Sequence, residues 1–294
     1  MRFTLLDDLH TEFDLWTPPA RHDVDTIFFA GDIAASPEKL REFALRVEDE
    51  QPENVRDIVY VAGNHEWYDS ARVKLSDAGY QKYRDSMQGL RRSVFLERET
   101  YRLNNGWTVV GCTLWTDLTN PVSEARARAE INDYQKITYE KDGHYRKLAP
   151  HDVSMLHRKS VAFLKEALEG SDPERTVLLT HHSPVQYGLS LHHENDEVAL
   201  LDMYGARLEN LISAYQPALA LHGHTHRTCH RSIGETWIGN NPRGYELGKN
   251  PHNPDKQKDK WSQFERDHKK SLNADFDPMF VRDTGRSNQN NRGR

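Results

Sequence analysis

Residues 57–66 read DIVYVAGNHE, and this stretch decides the fold. Asp57–Ala62 is a short run rich in apolar and β-branched side chains, too short for a helix and long enough for a buried strand. The chain then passes without an interval into Gly63-Asn64-His65-Glu66, a cluster of groups able to bind metal or move protons. The same grammar recurs on both sides. Phe3–Leu6 leads to Asp8-Leu9-His10 and Thr26–Ala30 to Gly31-Asp32; Thr176–Thr180 leads to His181-His182 and Ala218–Leu221 to His222-Gly223-His224-Thr225-His226. Trp107–Trp115 is another run of this kind. In α/β sheets, ligands bind in the crevice beyond the carboxyl ends of the strands. Five strands therefore deliver Asp, Asn and His to one edge.

Helical segments lie between the runs. Ser36-Pro37-Glu38 offers an N-cap with Pro at the first helical position. Ser154–Glu169 carries Met155, Val161, Leu164 and Leu168 at helical spacing and stops at Gly170, and residues 202–214 read as a third helix. Alternating strands and helices give an α/β chain. The late runs 218–221, 227–233 and 235–239 have no helix between them, which adds antiparallel pairs and predicts mixed sheets. Residues 119–152 are highly charged with little apolar periodicity and read as an excursion over one face. The domain is expected to span residues 1–248. Residues 249–294 form a basic polar extension whose last dozen residues lack the apolar content to fold, so residues 281–294 are expected to be dispensable.

The spacing of the donors carries the chemistry. Asp8/His10 and His224/His226 are two residues apart, which in extended backbone puts both side chains on one side. The cluster offers two carboxylates, an amide oxygen and several imidazoles, and no thiolate. Such mixed N/O ligation suits Mn²⁺, Fe²⁺/Fe³⁺, Zn²⁺ or Ni²⁺ rather than Ca²⁺. Seven ligands are too many for one tetrahedral ion; they suit two ions roughly 3.5–4 Å apart sharing a carboxylate.

In order and wording, Asp8-Leu9-His10, Gly31-Asp32, Gly63-Asn64-His65-Glu66, His181 and Gly223-His224-Thr225-His226 resemble the motifs of the calcineurin-like metallophosphoesterase superfamily. The closing stretch NPRGYELG (241–248) resembles the end of a bacterial-type uncharacterised subgroup. The resemblance implies a four-layer α/β/β/α sandwich with two mixed sheets. It also implies two divalent transition-metal ions, Mn²⁺ favoured. One would be held by Asp8, His10 and His226, the other by Asn64, His181 and His224, with Asp32 bridging. His65 would not be a ligand but would face the substrate and assist the leaving group, while a hydroxide between the metals attacks phosphorus in line. Many relatives continue the Gly-Asp motif to a second Asp; here that position is Ala35, so a supporting carboxylate is missing. The Asp-Arg-Gly continuation of Ser/Thr protein phosphatases is absent, which counts against that activity.

Other residues take plainer readings. His182 is an alternative ligand to His181, which position favours. His222 is expected to make a structural hydrogen bond, and His192 and His193 to be solvated. Trp67 and Tyr68 are either an aromatic wall for substrate or packing. Asn132-Asp133-Tyr134 reads as a surface turn before it reads as a substrate-selecting loop. Cys112 and Cys229 are expected in the core.

Composition bounds the rest. The chain has 294 residues and two cysteines, which excludes a disulfide scaffold or a Cys-rich zinc module. Its apolar runs are too short to span a bilayer, and the acidic pair in MRFTLLDDLH is wrong for a signal peptide. A cytoplasmic protein with reduced thiols is expected. Net charge is −6. Residues 249–294 hold eleven Lys/Arg against seven Asp/Glu, leaving −10 on residues 1–248. Nucleic acid is therefore not the favoured partner, and a small-molecule phosphoester is. The alternatives to a phosphodiesterase or phosphatase are a non-catalytic scaffold of the same fold and a nuclease.

Overall fold

A computed structural model describes residues 1–118, 120–186, 198–244, 273 and 275–285, without the side chains of 198–200. His192, His193, residues 245–248 and most of the extension lie outside the described residues. The strands are β1 (Arg2–Leu6), β2 (Thr26–Ala30), β3 (Asp57–Val61), β4 (Ser93–Leu96), β5 (Glu99–Arg102), β6 (Thr108–Cys112), β7 (Thr138–Lys141), β8 (His144–Lys147), β9 (Thr176–Thr180), β10 (Leu219–Leu221), β11 (His230–Ile233), β12 (Thr236–Gly239) and β13 (Arg282–Asp283). The helices are α1 (Pro37–Glu50), α2 (Asp77–Ser86), α3 (Pro121–Glu130), α4 (Asp133–Lys136), α5 (Pro150–Glu169), α6 (Val198–Tyr204) and α7 (Glu209–Tyr215).

One sheet has the order β13-β1-β2-β3-β4 and the other β11-β12-β10-β9-β6-β5, with β7-β8 a separate hairpin. Both sheets are mixed. β1 to β4 run parallel with β13 antiparallel at the edge. β6, β9, β10 and β12 run parallel, flanked by antiparallel β5 and β11. Period-two alternation builds the layers. Phe3, Leu5, Phe28, Ala30, Val59 and Val61 point from the first sheet onto Val109, Val177, Leu179, Leu219 and Leu221 of the second. Their alternates Leu6, Ile27, Phe29, Ile58 and Tyr60 pack against Phe43 and Val47 of α1 and Tyr80 and Tyr83 of α2. Val110, Leu178 and Ala220 meet Leu164, Leu168, Leu211 and Ile212 of α5 and α7. The result is the expected helix–sheet–sheet–helix sandwich, with both sets of parallel carboxyl ends at one edge.

Three elements differ from the sequence reading. α5 starts at Pro150 rather than Ser154, because the Asp152 carboxylate accepts the Ala149 N–H at 2.9 Å and caps the extra turn. The helix expected over 202–214 is two helices. It breaks because Ser183 and Pro184, just past β9, pair with backbone of the connecting loop: Ala206 N–H donates to Ser183 O and Leu208 N–H to Pro184 O. Cys112 is buried as expected, but Cys229 is only half-buried, in the turn before β11.

The extension departs most. Residues 275–285 return to the body instead of leaving it. β13 pairs with β1, and Thr284 N–H donates to Met1 O at 2.9 Å. The anchor is Arg21, whose fully buried guanidinium donates to the carbonyls of Pro278 (3.2 Å), Met279 (3.0 Å) and Phe280 (3.3 Å). Residues 281–285 therefore pack on the body through β13 rather than forming a free tail, while the carbonyls that Arg21 binds lie just before them, at residues 278–280. Deleting residues 273–294 is expected to leave Arg21 with Asp23 and Thr4 as its acceptors, to cost about 1–3 kcal/mol through the lost carbonyl bonds, and to lower Tm by several degrees in a thermal melt. An unchanged Tm would show that the segment adds nothing.

Candidate metal centre

The loops after β1, β2 and β3 are stitched together by backbone and one acid. Asp8 N–H donates to Gly31 O (3.1 Å) and His10 N–H to Asp32 O (2.9 Å). The buried Glu66 carboxylate accepts from Gly63 N (2.6 Å), Asp32 N (3.1 Å), Ile33 N (2.7 Å) and Ala34 N (3.2 Å). Burial pushes its pKa up to about 7 despite those bonds. Glycines allow this crowding. A Cβ on Gly63 would lie 2.1 Å from Asp32 Oδ1, and one on Gly31, whose φ is +86°, would lie 2.4 Å from His181 Nδ1.

The expected ligands converge, but not by strand alternation. Asp8, His10, Asp32, His224 and His226 have φ between 48° and 69°, the left-handed region that costs non-glycine residues energy. The donors have already left their strands, and turned backbone rather than period-two spacing brings them together. The loop amides hold these turns; His224 N–H donates to Asp8 Oδ2 at 2.8 Å.

Among the described residues, three groups of donor atoms result, each with all atoms within 4.8 Å of one another: Asp8, His10, Asp32 and His226; Asp32, His181 and His224; and His10, Glu12 and His65. Asp32 belongs to the first two. Its Oδ2 lies 3.8 Å from His10 Nε2 and its Oδ1 3.5 Å from His181 Nε2, so the two oxygens turn to different histidines. Asn64 joins the second group through Oδ1, 3.0 Å from His181 Nε2. His182 stands apart: it is buried, packs at a tilt against His224 with ring centroids 4.2 Å apart and turns Nδ1 toward Thr113 O. His222 makes the structural contact expected of it, to Gly223 O at 3.0 Å.

The chemistry of this donor set fits a cation. His181 Nδ1 faces Ala30 O at 2.8 Å, so the ring proton sits there by assignment from the hydrogen-bond network. Burial pushes the pKa of His181 well below its ordinary value, which keeps the ring neutral and leaves a lone pair on Nε2. The Asn64 amide is fixed too, because its Nδ2 donates to Asp133 Oδ1 at 2.8 Å. Two lone pairs therefore face each other across 3.0 Å, an arrangement that a positive ion between them relieves. Burial also holds His224 below its ordinary pKa and His10 down at about 4, so these rings need not shed protons to bind metal. Burial, with Glu66 and Asp8 alongside, pushes Asp32 well up, a repulsion that bound metal would offset.

His65 lies beside these groups, its Nε2 4.0 Å from Asp32 Oδ2. Its ring stacks on Tyr68 at 4.0 Å and meets His10 edge-on at 4.4 Å. Trp67 and Tyr68 thus divide the two readings. Trp67 is buried against Tyr80 and Tyr83, whereas Tyr68 lines the site. Asp133 is no surface turn: it is buried and accepts from both Asn64 and Tyr68 (2.6 Å). The charged excursion therefore supplies part of the site.

A family model described as calcineurin-like phosphoesterase matches residues 3–228. The chain belongs to this phosphoesterase family. Among solved structures, phosphopantetheinyl hydrolase from Mycobacterium tuberculosis superposes with a TM-score of 0.61 at 18% identity, over 83% of this chain and 89% of that one. At that identity the likeness shows a shared fold. A dimetal phosphatase from Danio rerio matches with a TM-score of 0.41 at 14% identity, over 82% of this chain and 86% of that one. No curated protein matches this sequence. Among the described residues, no helix of this phosphoesterase is long and apolar enough to cross a membrane.

Proposed function

We propose that this family member is a dinuclear metal-dependent phosphoesterase acting on a small-molecule phosphodiester or phosphomonoester, the diester favoured. Asp8, His10 and His226 hold one divalent ion, Asn64, His181 and His224 hold the other, and Asp32 serves both. This mixed imidazole and oxygen set suits Mn²⁺, Fe, Zn²⁺ or Ni²⁺, and Mn²⁺ is the ion we favour. The observation that carries the reading is the divergence of the two Asp32 oxygens toward His10 and His181. Paired divalent ions at such positions activate water and neutralise phosphate charge.

The protein's own groups do the remaining work. Glu66 and the left-handed turns fix the loops, so donors are held in place before substrate arrives. His65 presents Nε2 on the side of Asp32 where a phosphoester would sit and donates a proton to the leaving oxygen. A leaving-group acid is most useful for an alkoxide, which is why the diester is favoured. Asp133 holds the Asn64 amide so that Oδ1 faces His181. Asp133→Ala is expected to weaken the ion on that side about 10–100-fold with circular dichroism unchanged, as measured by metal titration.

The test is a panel of p-nitrophenyl phosphate, bis-p-nitrophenyl phosphate, cyclic nucleotides and single-stranded DNA, each with Mn²⁺, Ni²⁺ or Zn²⁺. Metal-dependent hydrolysis of the small esters, strongest with Mn²⁺ and on diesters, is expected. A chain that binds both ions yet hydrolyses nothing would be a scaffold, and turnover of DNA alone would be a nuclease.

A further inference from the structure

Glu12, absent from every motif above, sits at the junction of the ligand set and His65. Its Oε1 lies 2.8 Å from His65 Nδ1 and 3.3 Å from His10 Nδ1. A carboxylate at neutral pH only accepts hydrogen bonds, so both rings carry a proton on Nδ1, which leaves Nε2 as the metal-binding nitrogen of His10 and the proton-transferring nitrogen of His65. Those two Nε2 atoms converge on one atom, Asp32 Oδ2, at 3.8 Å from His10 and 4.0 Å from His65. The loop bearing Glu12 is tied down. Thr11 donates to Ile33 O through both its N–H (3.0 Å) and its Oγ1 (2.6 Å), and Phe13 N–H donates to His10 O (2.9 Å). Among the described residues, Glu12 Oε2 is buried and has no hydrogen-bond partner, so the side chain is held through Oε1.

Resting on the two-ion reading above, we propose that Glu12 is a positioning residue that sets the tautomer and orientation of His10 and His65 together. The same oxygen aims a metal-binding nitrogen and a proton-carrying nitrogen at one point. The carboxylate also stands opposite the charge that His65 bears when its Nε2 is protonated. As the P–O bond breaks, that Nε2 proton passes to the leaving oxygen, and the ring returns to its neutral form with Nδ1–H on Glu12. Solvent water restores the Nε2 proton for the next turnover. Elsewhere, a third group that orients an imidazole in this way is worth orders of magnitude in rate.

The experiment compares Glu12→Leu and Glu12→Gln with the unaltered chain. Side-chain ¹⁵N spectra of the metal-free protein report histidine tautomers without reference to turnover. The unaltered chain is expected to show His10 and His65 protonated at Nδ1, and Glu12→Leu to lose that state at both rings. With metal restored, kcat on an alkyl ester should fall roughly 10–100-fold in Glu12→Leu, less on an aryl ester, with KM unchanged. Glu12→Gln keeps the volume and one acceptor oxygen, so it should fold and recover part of that loss. Native tautomers, or native kcat on the alkyl ester, in Glu12→Leu would overturn the proposal. If the unaltered chain hydrolyses no ester, the two-ion reading fails instead, while the ¹⁵N spectra still decide the role of Glu12.

Discussion

Asp32→Asn is expected to weaken metal binding on both sides of the centre at once and to reduce turnover of every phosphoester by about 10³-fold or more. The change removes one oxygen and puts an N–H₂ in its place. Asp32 Oδ1 accepts the His65 backbone N–H at 2.8 Å, so the amide would keep its oxygen there and turn its nitrogen toward His10. The ion on the His10 side then loses a ligand outright, and the one on the His181 side keeps only a neutral oxygen. Stability should move the other way. Burial and the nearby Glu66 and Asp8 raise the pKa of Asp32 in the folded chain, so its ionised form works against folding at pH 7 when no metal is bound. Removing that charge should raise the Tm of the metal-free protein. Elemental analysis and melting curves read both effects. Full occupancy of either half in Asp32→Asn would show that the carboxylate is not shared.

His65→Ala should separate binding from turnover. The side chain belongs to neither group built on Asp32, and Tyr68, His10 and Glu12 hold it from three sides. Both ions are expected to stay while kcat falls by roughly 10²–10⁴. The loss should be greatest on alkyl esters, because p-nitrophenolate needs little protonation to leave. His226→Ala should instead weaken one ion and slow every substrate alike. Metal content and kcat of both variants on an aryl and an alkyl ester make the comparison. Equal losses on both esters in His65→Ala would exclude the proton-donor role.

The parts of the molecule that were legible in the sequence are those whose signal is local. Runs such as Thr26–Ala30 and Thr176–Thr180 are fully buried strands, and the polar residues behind them come to one edge because parallel strands end together. β4 and β5 carry a weak signal because SVFL and ETYR are short and half-exposed, although Asn105-Gly106 after β5 is a readable hairpin turn into β6. The returning C-terminal segment was illegible for a different reason. Arg21 recognises it through backbone carbonyls, which leave no trace in side-chain composition. Glu66 stood inside a quoted motif, yet three of the four loop amides it binds lie more than 30 positions away. Glu12 had a readable cue, since it extends the alternation of Asp8 and His10 by one more step. For Asp133 the reading of Asn132-Asp133-Tyr134 as a substrate-selecting loop came second to a surface turn, because its partners Asn64 and Tyr68 are distant in sequence from the charged insertion that carries it.

Metal stoichiometry shows whether Asp32 joins two metal positions in one centre. The metal-free chain would be titrated with Mn²⁺ and Zn²⁺, freed of excess ion, and assayed by elemental analysis against protein concentration. Two ions per chain are predicted, with the second lost together with the first in Asp32→Asn. A stoichiometry that never exceeds one ion per chain, with activity already at its maximum, would contradict the account.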